Sequence, residues 1–371
     1  MAAVRQLRNL HRVQILRTPK GRPYTVMIHI VSECRVDVGI DPYTEFSRLS
    51  RVLHIMYRDR RFLRMRAAVL IQLPSFGRTE NNMRNDINIL IAGGDMRQVY
   101  CAARLAQRYG TAITGFDSSA LPSAVRALAD PLPAADSYDC AVLPVLALDE
   151  NGDISASFYS GSLSAETVAS AVRDGGIIFT GRGDSRLAEL FPQHRLISYL
   201  GREELQLRNA VLTAEGAVQL ALERLDVALN GLPVLIVGLG RIGTALALIL
   251  RGFGADITAA VRSSQAEAKA RMLGVKSVRT DALGGDYTLV FNTAPAEVFT
   301  PDNIGRFRDD TLFIELASDA GGFSTEAAEA LGARLIRANG LPGKTAPVTA
   351  GEIIADAVAA IIEEGGGGYE N

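Results

Sequence analysis

Val234-Leu-Ile-Val-Gly238-Leu-Gly240-Arg241-Ile242-Gly243, continuing into Thr244-Ala-Leu-Ala-Leu-Ile-Leu-Arg251, decides the fold. A short apolar run suited to a buried parallel strand ends in Gly-x-Gly-x-x-Gly, and an amphipathic helical pattern begins at once. Gly238 permits the tight turn, Gly240 lets backbone amides approach a pyrophosphate, and Gly243 lets the helix pack closely on the strand. The N–H groups at the start of that helix then face the anion. The alternative is a glycine-rich turn of an ordinary α/β domain without a ligand.

The end of the next strand selects the dinucleotide. Asp256-Ile-Thr-Ala-Ala-Val-Arg262 reads as that strand. An NAD enzyme places Asp or Glu about 20 residues past the glycines, on the ribose 2′-hydroxyl. Here Arg262, Ser263 and Ser264 stand there instead. A guanidinium and two hydroxyls suit a 2′-phosphate better than a neutral diol, so NADP is favoured, with NAD the alternative. A solvated charge at a strand end would give the same Arg262.

Working outward, the pattern predicts an α/β protein of two Rossmann-like, doubly wound parallel-sheet domains joined by a long helix. Ile87–Ala92 reads as a strand, Gly93-Gly94-Asp95 as a turn, 97–109 as a helix and Thr111–Phe116 as a second strand. This opening lacks the third glycine, and Asp95 puts a carboxylate where a pyrophosphate would lie, which points to a substrate domain over 83–212. Further strands are expected at 140–146, around 154–159, at 177–180 and at 195–198, with a helix over 165–173. A linker helix is expected over 213–230, capped by Thr213 and closed by Asn230-Gly231. The NADP-binding domain follows over 231–348, with strands at 289–292, 312–315 and 334–336. A C-terminal helix over 349–364 is expected to pack back across the domains, before a disordered tail at 365–371.

The near-neutral total charge hides a split. Residues 1–82 carry 15 Lys and Arg against 6 Asp and Glu, the remainder 24 against 35. The basic part shows no clean periodicity and reads as an N-terminal extension, disordered or upstream of a mis-assigned start. No nucleic-acid fold signature accompanies its arginines, so nucleic acid is not an expected partner. No run approaches the roughly 18 apolar residues of a membrane span. Cys34, Cys101 and Cys140 have neither disulfide nor zinc spacing, so no metal is expected and a reducing cytoplasm is the default compartment. Arg182-Gly183-Asp184 reads as a turn.

Active sites in such folds lie at the carboxyl ends of strands. Four segments qualify: Gly93–Arg97, Asn209–Gly216, Asn292-Thr293-Ala-Pro295 with Glu315-Leu-Ala-Ser318, and Gly340-Leu-Pro-Gly-Lys344-Thr-Ala-Pro347. Asn292, Thr293 and Pro295 suit a ribose or nicotinamide lining as well as a plain turn. Glu215 suits either a helix-dipole role or a proton acceptor. Outside the basic part the only histidine is His194, in a loop, which argues against His-dependent hydroxy-acid chemistry.

Taken in order, Ile91-Ala-Gly-Gly-Asp-Met-Arg97-Gln98, Leu207-Arg-Asn209-Ala-Val-Leu-Thr213-Ala-Glu215-Gly216, the fingerprint, Asn292-Thr-Ala-Pro295, Glu315-Leu-Ala-Ser318 and Gly340-Leu-Pro-Gly343-Lys-Thr-Ala-Pro347 resemble the family of dipicolinate synthase A-type subunits over about 83–362. Val348 departs from it, standing where that family leads one to expect a lysine. The resemblance implies oxidation of a dihydrodipicolinate-type ring to pyridine-2,6-dicarboxylate with NADP, during sporulation, in the mother-cell cytoplasm. It also implies a flavoprotein-like partner, the B-type subunit of dipicolinate synthase; a homo-oligomer is compatible with it. A small dicarboxylate substrate calls for cationic or hydroxyl clamps, here Arg97, Thr213 and Lys344, with Glu215 as base. Two other readings stay open: a coenzyme-binding regulatory or scaffold subunit whose partner does the chemistry, and another two-domain dehydrogenase of a small amino or hydroxy acid.

Overall fold

The computed structural model describes residues 13–16, 27–30, 84–317 and 321–365. The chain divides into a unit over Met1–Glu80 and one over Asn81–Asn371. In the first, Val13–Leu16 (β1) pairs antiparallel with Met27–Ile30 (β2). Otherwise the expectations for residues 1–82, and for the tail beyond Gly365, lie outside the described residues.

The second unit holds two parallel sheets. The first lobe runs Arg84–Ala92 (β3), Met96–Leu105 (α1), Tyr109–Thr114 (β4), Ser123–Arg126 (α2), Tyr138–Val142 (β5), Ala165–Ala171 (α3), Val172–Thr180 (β6), Arg186–Leu190 (α4) and Arg195–Ser198 (β7). Its strand order is β4-β3-β5-β6-β7, so the direction of winding reverses at β3 and β5. Ile89, Leu90, Ile91 and Ala92 are all fully buried, as a strand covered on both faces by helices requires. Residues 154–159 do not form the expected strand. Only single bridges form there, Leu148 to Ile154 and Gly94 to Ala156, because the segment serves to pin the Gly93-Gly94 turn: Gly94 N–H donates to Ser155 O at 2.6 Å and Ser157 N–H to Gly94 O at 3.1 Å.

The second lobe runs Pro233–Val237 (β8), Arg241–Gly252 (α6), Asp256–Val261 (β9), Ser264–Met272 (α7), Lys276–Arg279 (β10), Leu289–Asn292 (β11), Pro301–Ile304 (α8), Leu312–Glu315 (β12), Thr325–Leu331 (α9) and Leu335–Arg337 (β13), after the helix Glu203–Arg224 (α5) that links it to the first. Its order, β10-β9-β8-β11-β12-β13, is that of a dinucleotide-binding sheet, with the switch point between β8 and β11. Phe299, Phe307, Phe313 and Phe323 fill one side of it, Phe299 and Phe323 stacking with centroids 4.3 Å apart. Burying each such side chain contributes roughly 1.5–3 kcal/mol.

The linking helix corrects the expected 213–230 span. It begins ten residues earlier, at Glu203, and ends at Arg224, where Leu225 turns extended; Asn230-Gly231 belongs to the loop beyond. Thr213 is therefore mid-helix and caps nothing. It marks a changeover instead: Leu205 and Leu212 belong to the first lobe's core, whereas Ala214, Ala217, Val218 and Ala221 belong to the second's. The chain returns through Leu341–Thr345 (α10) to the last helix, Pro347–Glu363 (α11), whose Ile353, Ile354, Val358 and Ile361 complete the first lobe's core beside α1.

Candidate coenzyme and substrate site

β8 delivers the chain to Gly238, whose φ of +88° only glycine adopts without strain, and where an added Cβ would stand 2.8 Å from Thr293 Oγ1. Gly240 then forms the N-cap of α6 with no side-chain cap bond, and a Cβ on it would meet nothing within 4 Å. An uncapped helix start beside open space is the cradle a pyrophosphate needs. Gly243 lies so close to the Gly238 carbonyl that no side chain fits between. Gly238 thus makes the turn and Gly243 the close helix–strand approach that their spacing predicts, and Gly240 leaves open space beside the helix start.

Charge surrounds this turn. Arg241 forks onto Glu203 (Nε–Oε1 2.9 Å, Nη2–Oε2 2.6 Å), both side chains about half exposed. The hydrogen bond from Arg241 holds the Glu203 carboxyl below the usual range. Ile242, second residue of α6, is half-buried. Lys269 on α7 donates from Nζ to Leu239 O at 3.1 Å, fastening α7 to the loop. At the end of β9, Arg262 and Ser264 are exposed and Ser263 caps α7, its Oγ accepting from Ala266 N–H. Arg279 closes the neighbouring strand β10, with Nη1 donating to Arg262 O at 2.8 Å. Sequence reading missed Lys269 and Arg279. Lys276-Ser-Val-Arg279 offers one apolar residue, too little to reveal an edge strand, and nothing linear ties it to Arg262.

Asn292, Thr293 and Pro295 turn out to serve different ends. The Asn292 side chain does not line a ligand surface: it is fully buried, with Nδ2 donating to Glu315 Oε1 (2.9 Å) and Oε2 (3.0 Å). Glu315, itself 2% exposed, also accepts from the N–H groups of Ala317 and Gly322. β11 and β12 set these two residues directly opposite each other, so the pair shapes the loops above the strand ends. Thr293 donates to Val237 O (3.0 Å), buttressing the Gly238 turn, and Pro295 is exposed. Ser318 lies outside the described residues.

In the first lobe, Asp95 caps α1, accepting from Arg97 N–H at 2.9 Å. The Arg97 guanidinium folds back onto the same carboxylate, Nε–Oδ1 2.9 Å and Nη2–Oδ2 2.7 Å. Burial opposes both charges, but the fork outweighs it, holding the Asp95 carboxyl low and the Arg97 guanidinium high. Arg97 Nη1 has no hydrogen-bond partner among the described residues. The second lobe meets this pair at Gly343, where an added Cβ would fall 2.8 Å from Arg97 Nε. Gly93–Arg97 and Gly340–Lys344, far apart in sequence, are thereby brought together, and Gly216 packs against Thr345 beside them (3.0 Å from an added Cβ to Oγ1).

Three expected substrate residues divide at this junction. Lys344 is exposed and without a partner among the described residues. Glu215 is exposed on α5, more than two turns past the first turn where a helix-dipole role requires it. Thr213 is 8% exposed and its hydroxyl donates to Asn209 O at 2.9 Å, so it marks the changeover in α5 and does not offer its proton to a substrate. Gln98, near the start of α1, gave no functional signal in the sequence. It is 2% exposed and packed against Gly94, its amide oxygen and nitrogen both without partners among the described residues. A cavity of about 310 Å³, lined by Asp117, Ser119, Ala120, Ser157, Phe158, Tyr159 and Ser160, opens at the carboxyl end of β4. Among the described residues no group of three or more His, Cys, Asp or Glu is set to hold a metal ion, and no helix is long and apolar enough to cross a membrane.

With this geometry in place, comparison with known proteins is specific. Residues 88–200 match the family model of the N-terminal domain of the dipicolinate synthase A-type subunit, and residues 200–320 match that of the NAD-binding domain of D-isomer specific 2-hydroxyacid dehydrogenases. The A-type subunit of dipicolinate synthase from Bacillus subtilis (strain 168) is 29% identical over 296 residues, 76% of this chain and 98% of that protein. The crystal structure of the Bacillus subtilis protein superposes with a TM-score of 0.67 at 28% identity, covering 76% of this chain and 98% of its own. That of its Bacillus halodurans counterpart gives 0.68 at 25%, covering 76% and 99%. The chain is thus similar to the dipicolinate synthase A-type subunits through its second unit, and it has a nicotinamide-dinucleotide-binding, dehydrogenase-like domain.

Proposed function

Taking that similarity as the premise, we propose that this chain is an NADP-dependent oxidoreductase that converts a dihydrodipicolinate-type ring to pyridine-2,6-dicarboxylate. The observation that carries the reading is that the two lobes end in unlike loops: an uncapped glycine turn at Gly238–Gly243, and a capped, arginine-bearing one at Asp95–Arg97 with Gly343 against it. The amides from Leu239 to Gly243 hold the pyrophosphate, and Arg262, Ser263 and Ser264 receive the 2′-phosphate. The nicotinamide, when bound, supplies the hydride acceptor.

The chain's own task is then orientation and removal of one proton, since aromatisation drives the reaction. Arg97 keeps Nη1 for one substrate carboxylate while Asp95 fixes the rest of the guanidinium in place. Lys344, the other cation of the junction, takes the second carboxylate, which makes good the absence of a lysine at Val348. Glu215 accepts the proton. The Asn292–Glu315 pair does not touch the substrate and acts by holding the loops over β11 and β12. The proposal is completed by a partner of the B type, a role in sporulation and a cytoplasmic site in the mother cell; that the Bacillus subtilis relative is named as one subunit of a synthase supports the partner.

Turnover decides it. The full chain, mixed with NADP and freshly prepared dihydrodipicolinate, should produce NADPH and pyridine-2,6-dicarboxylate in equal amounts. Coenzyme binding without turnover, restored by adding the partner, would instead make this chain a binding or regulatory component.

A further inference from the structure

We propose that Arg279 is the second half of the 2′-phosphate clamp and sets the preference for NADP over NAD together with Arg262. The inference rests on the coenzyme assignment above and adds to it a residue from a different strand. In a sheet of this order the adenosine ribose lies over the ends of β8 and β9, so a 2′-phosphate projects toward β10. β9 and β10 run in parallel register with Val261 opposite Arg279, which puts the guanidinium of Arg279 at the edge where that phosphate would emerge.

Its orientation is fixed from the correct side. Arg279 Nη1 donates to Arg262 O at 2.8 Å, so the backbone of the residue expected to meet the phosphate also anchors the second cation. Among the described residues Arg279 pairs with Asp281, at 3.6 Å from Nη2 and mostly exposed, a loose counter-ion that a doubly charged phosphate outcompetes. The chain after Arg262 runs straight into the Ser263 cap of the nine-residue helix α7, whose Lys269 donates to Leu239 O of the glycine turn. No carboxylate stands at the end of β9 to bind a free 2′-hydroxyl. Arg279 and Arg262 thus stand together at the ends of adjacent strands, at the edge where NADP and NAD differ.

Calorimetric titration of the full chain with NADP, NAD, 2′,5′-ADP and 5′-AMP tests this, on the natural sequence and on Arg279→Gln and Arg279→Lys. Arg279→Gln should weaken NADP and 2′,5′-ADP about tenfold and leave NAD and 5′-AMP within about twofold, because a charge-assisted contact to one phosphate is lost. Arg279→Lys should recover part of the loss. Equal weakening of all four ligands, or none, overturns the role of Arg279 while leaving the coenzyme assignment standing. A natural chain that binds 2′,5′-ADP no better than 5′-AMP overturns the NADP assignment, and the clamp with it. An unchanged melting temperature in Arg279→Gln confirms that affinity, not folding, is being read.

Discussion

The two lobes open with the same device, a strand running through a glycine turn into a helix, and finish it in opposite ways. At Gly93-Gly94-Asp95 the helix start is filled from within: Asp95 caps it, Arg97 neutralises Asp95, and Gly94 is tied to Ser155 and Ser157. At Gly238-Leu-Gly240 the cap is a glycine with no side chain and open space beyond. A helix N-terminus attracts an anion in either case. The first lobe brings its own carboxylate, whereas the second leaves the place for a ligand's phosphate. On the proposed function, one nucleotide fold thereby serves as a substrate platform and its twin as a coenzyme platform.

The largest effect should come from closing the open turn. Gly240→Ala keeps an allowed φ of −75° and its Cβ meets no neighbour within 4 Å, so the melting temperature should stay within a few degrees while coenzyme affinity falls roughly a hundredfold, several amide–phosphate contacts being lost. Thermal melts and titration of the same sample check both halves.

Opening the closed turn is the converse. Asp95→Ala should cost about 1–2 kcal/mol of stability through the lost cap and the stranded Arg97. The acid dependence follows from the lowered carboxyl pKa of Asp95: its contribution is present above the unfolded value of about 3.9 and is lost as pH falls through the lower folded value. Denaturant unfolding from pH 6 down to pH 2 should show a shallower loss in Asp95→Asn than in the natural chain.

Much of this contrast was legible in sequence, for reasons that differ by residue. The glycine spacing after Val234–Val237 reports backbone geometry directly, and the carboxylate of Asp95 was visible as an obstacle to a phosphate. The beginning of α5 was not, since Thr213 looks like a helix cap when it stands at the changeover of cores, with Gly216 beyond it in close contact with Thr345. The segment 154–159 carries strand-like apolar residues, but spends them on bridges that pin a turn. Asn292 and Glu315 lie 23 residues apart and become partners only through strand register, which no local pattern encodes.

Smaller effects sharpen the comparison further. Gln98→Leu removes two buried polar atoms without partners and should raise stability by about 1 kcal/mol, measured by denaturant unfolding; a loss would mean that the amide is satisfied by a group bound at the closed turn. Glu203→Gln releases Arg241 toward the open turn and should tighten coenzyme binding by no more than about threefold, since exposed ion pairs are weak, with the gain shrinking as salt is raised. Titration at two ionic strengths resolves it.

Amide hydrogen exchange of the full chain with and without saturating NADP tests the central contrast most directly. Protection should rise over the amides from Leu239 to Thr244 and remain unchanged over those from Gly94 to Arg97. Protection gained at Gly94–Arg97 with none at Leu239–Thr244, or at neither turn, would contradict the account.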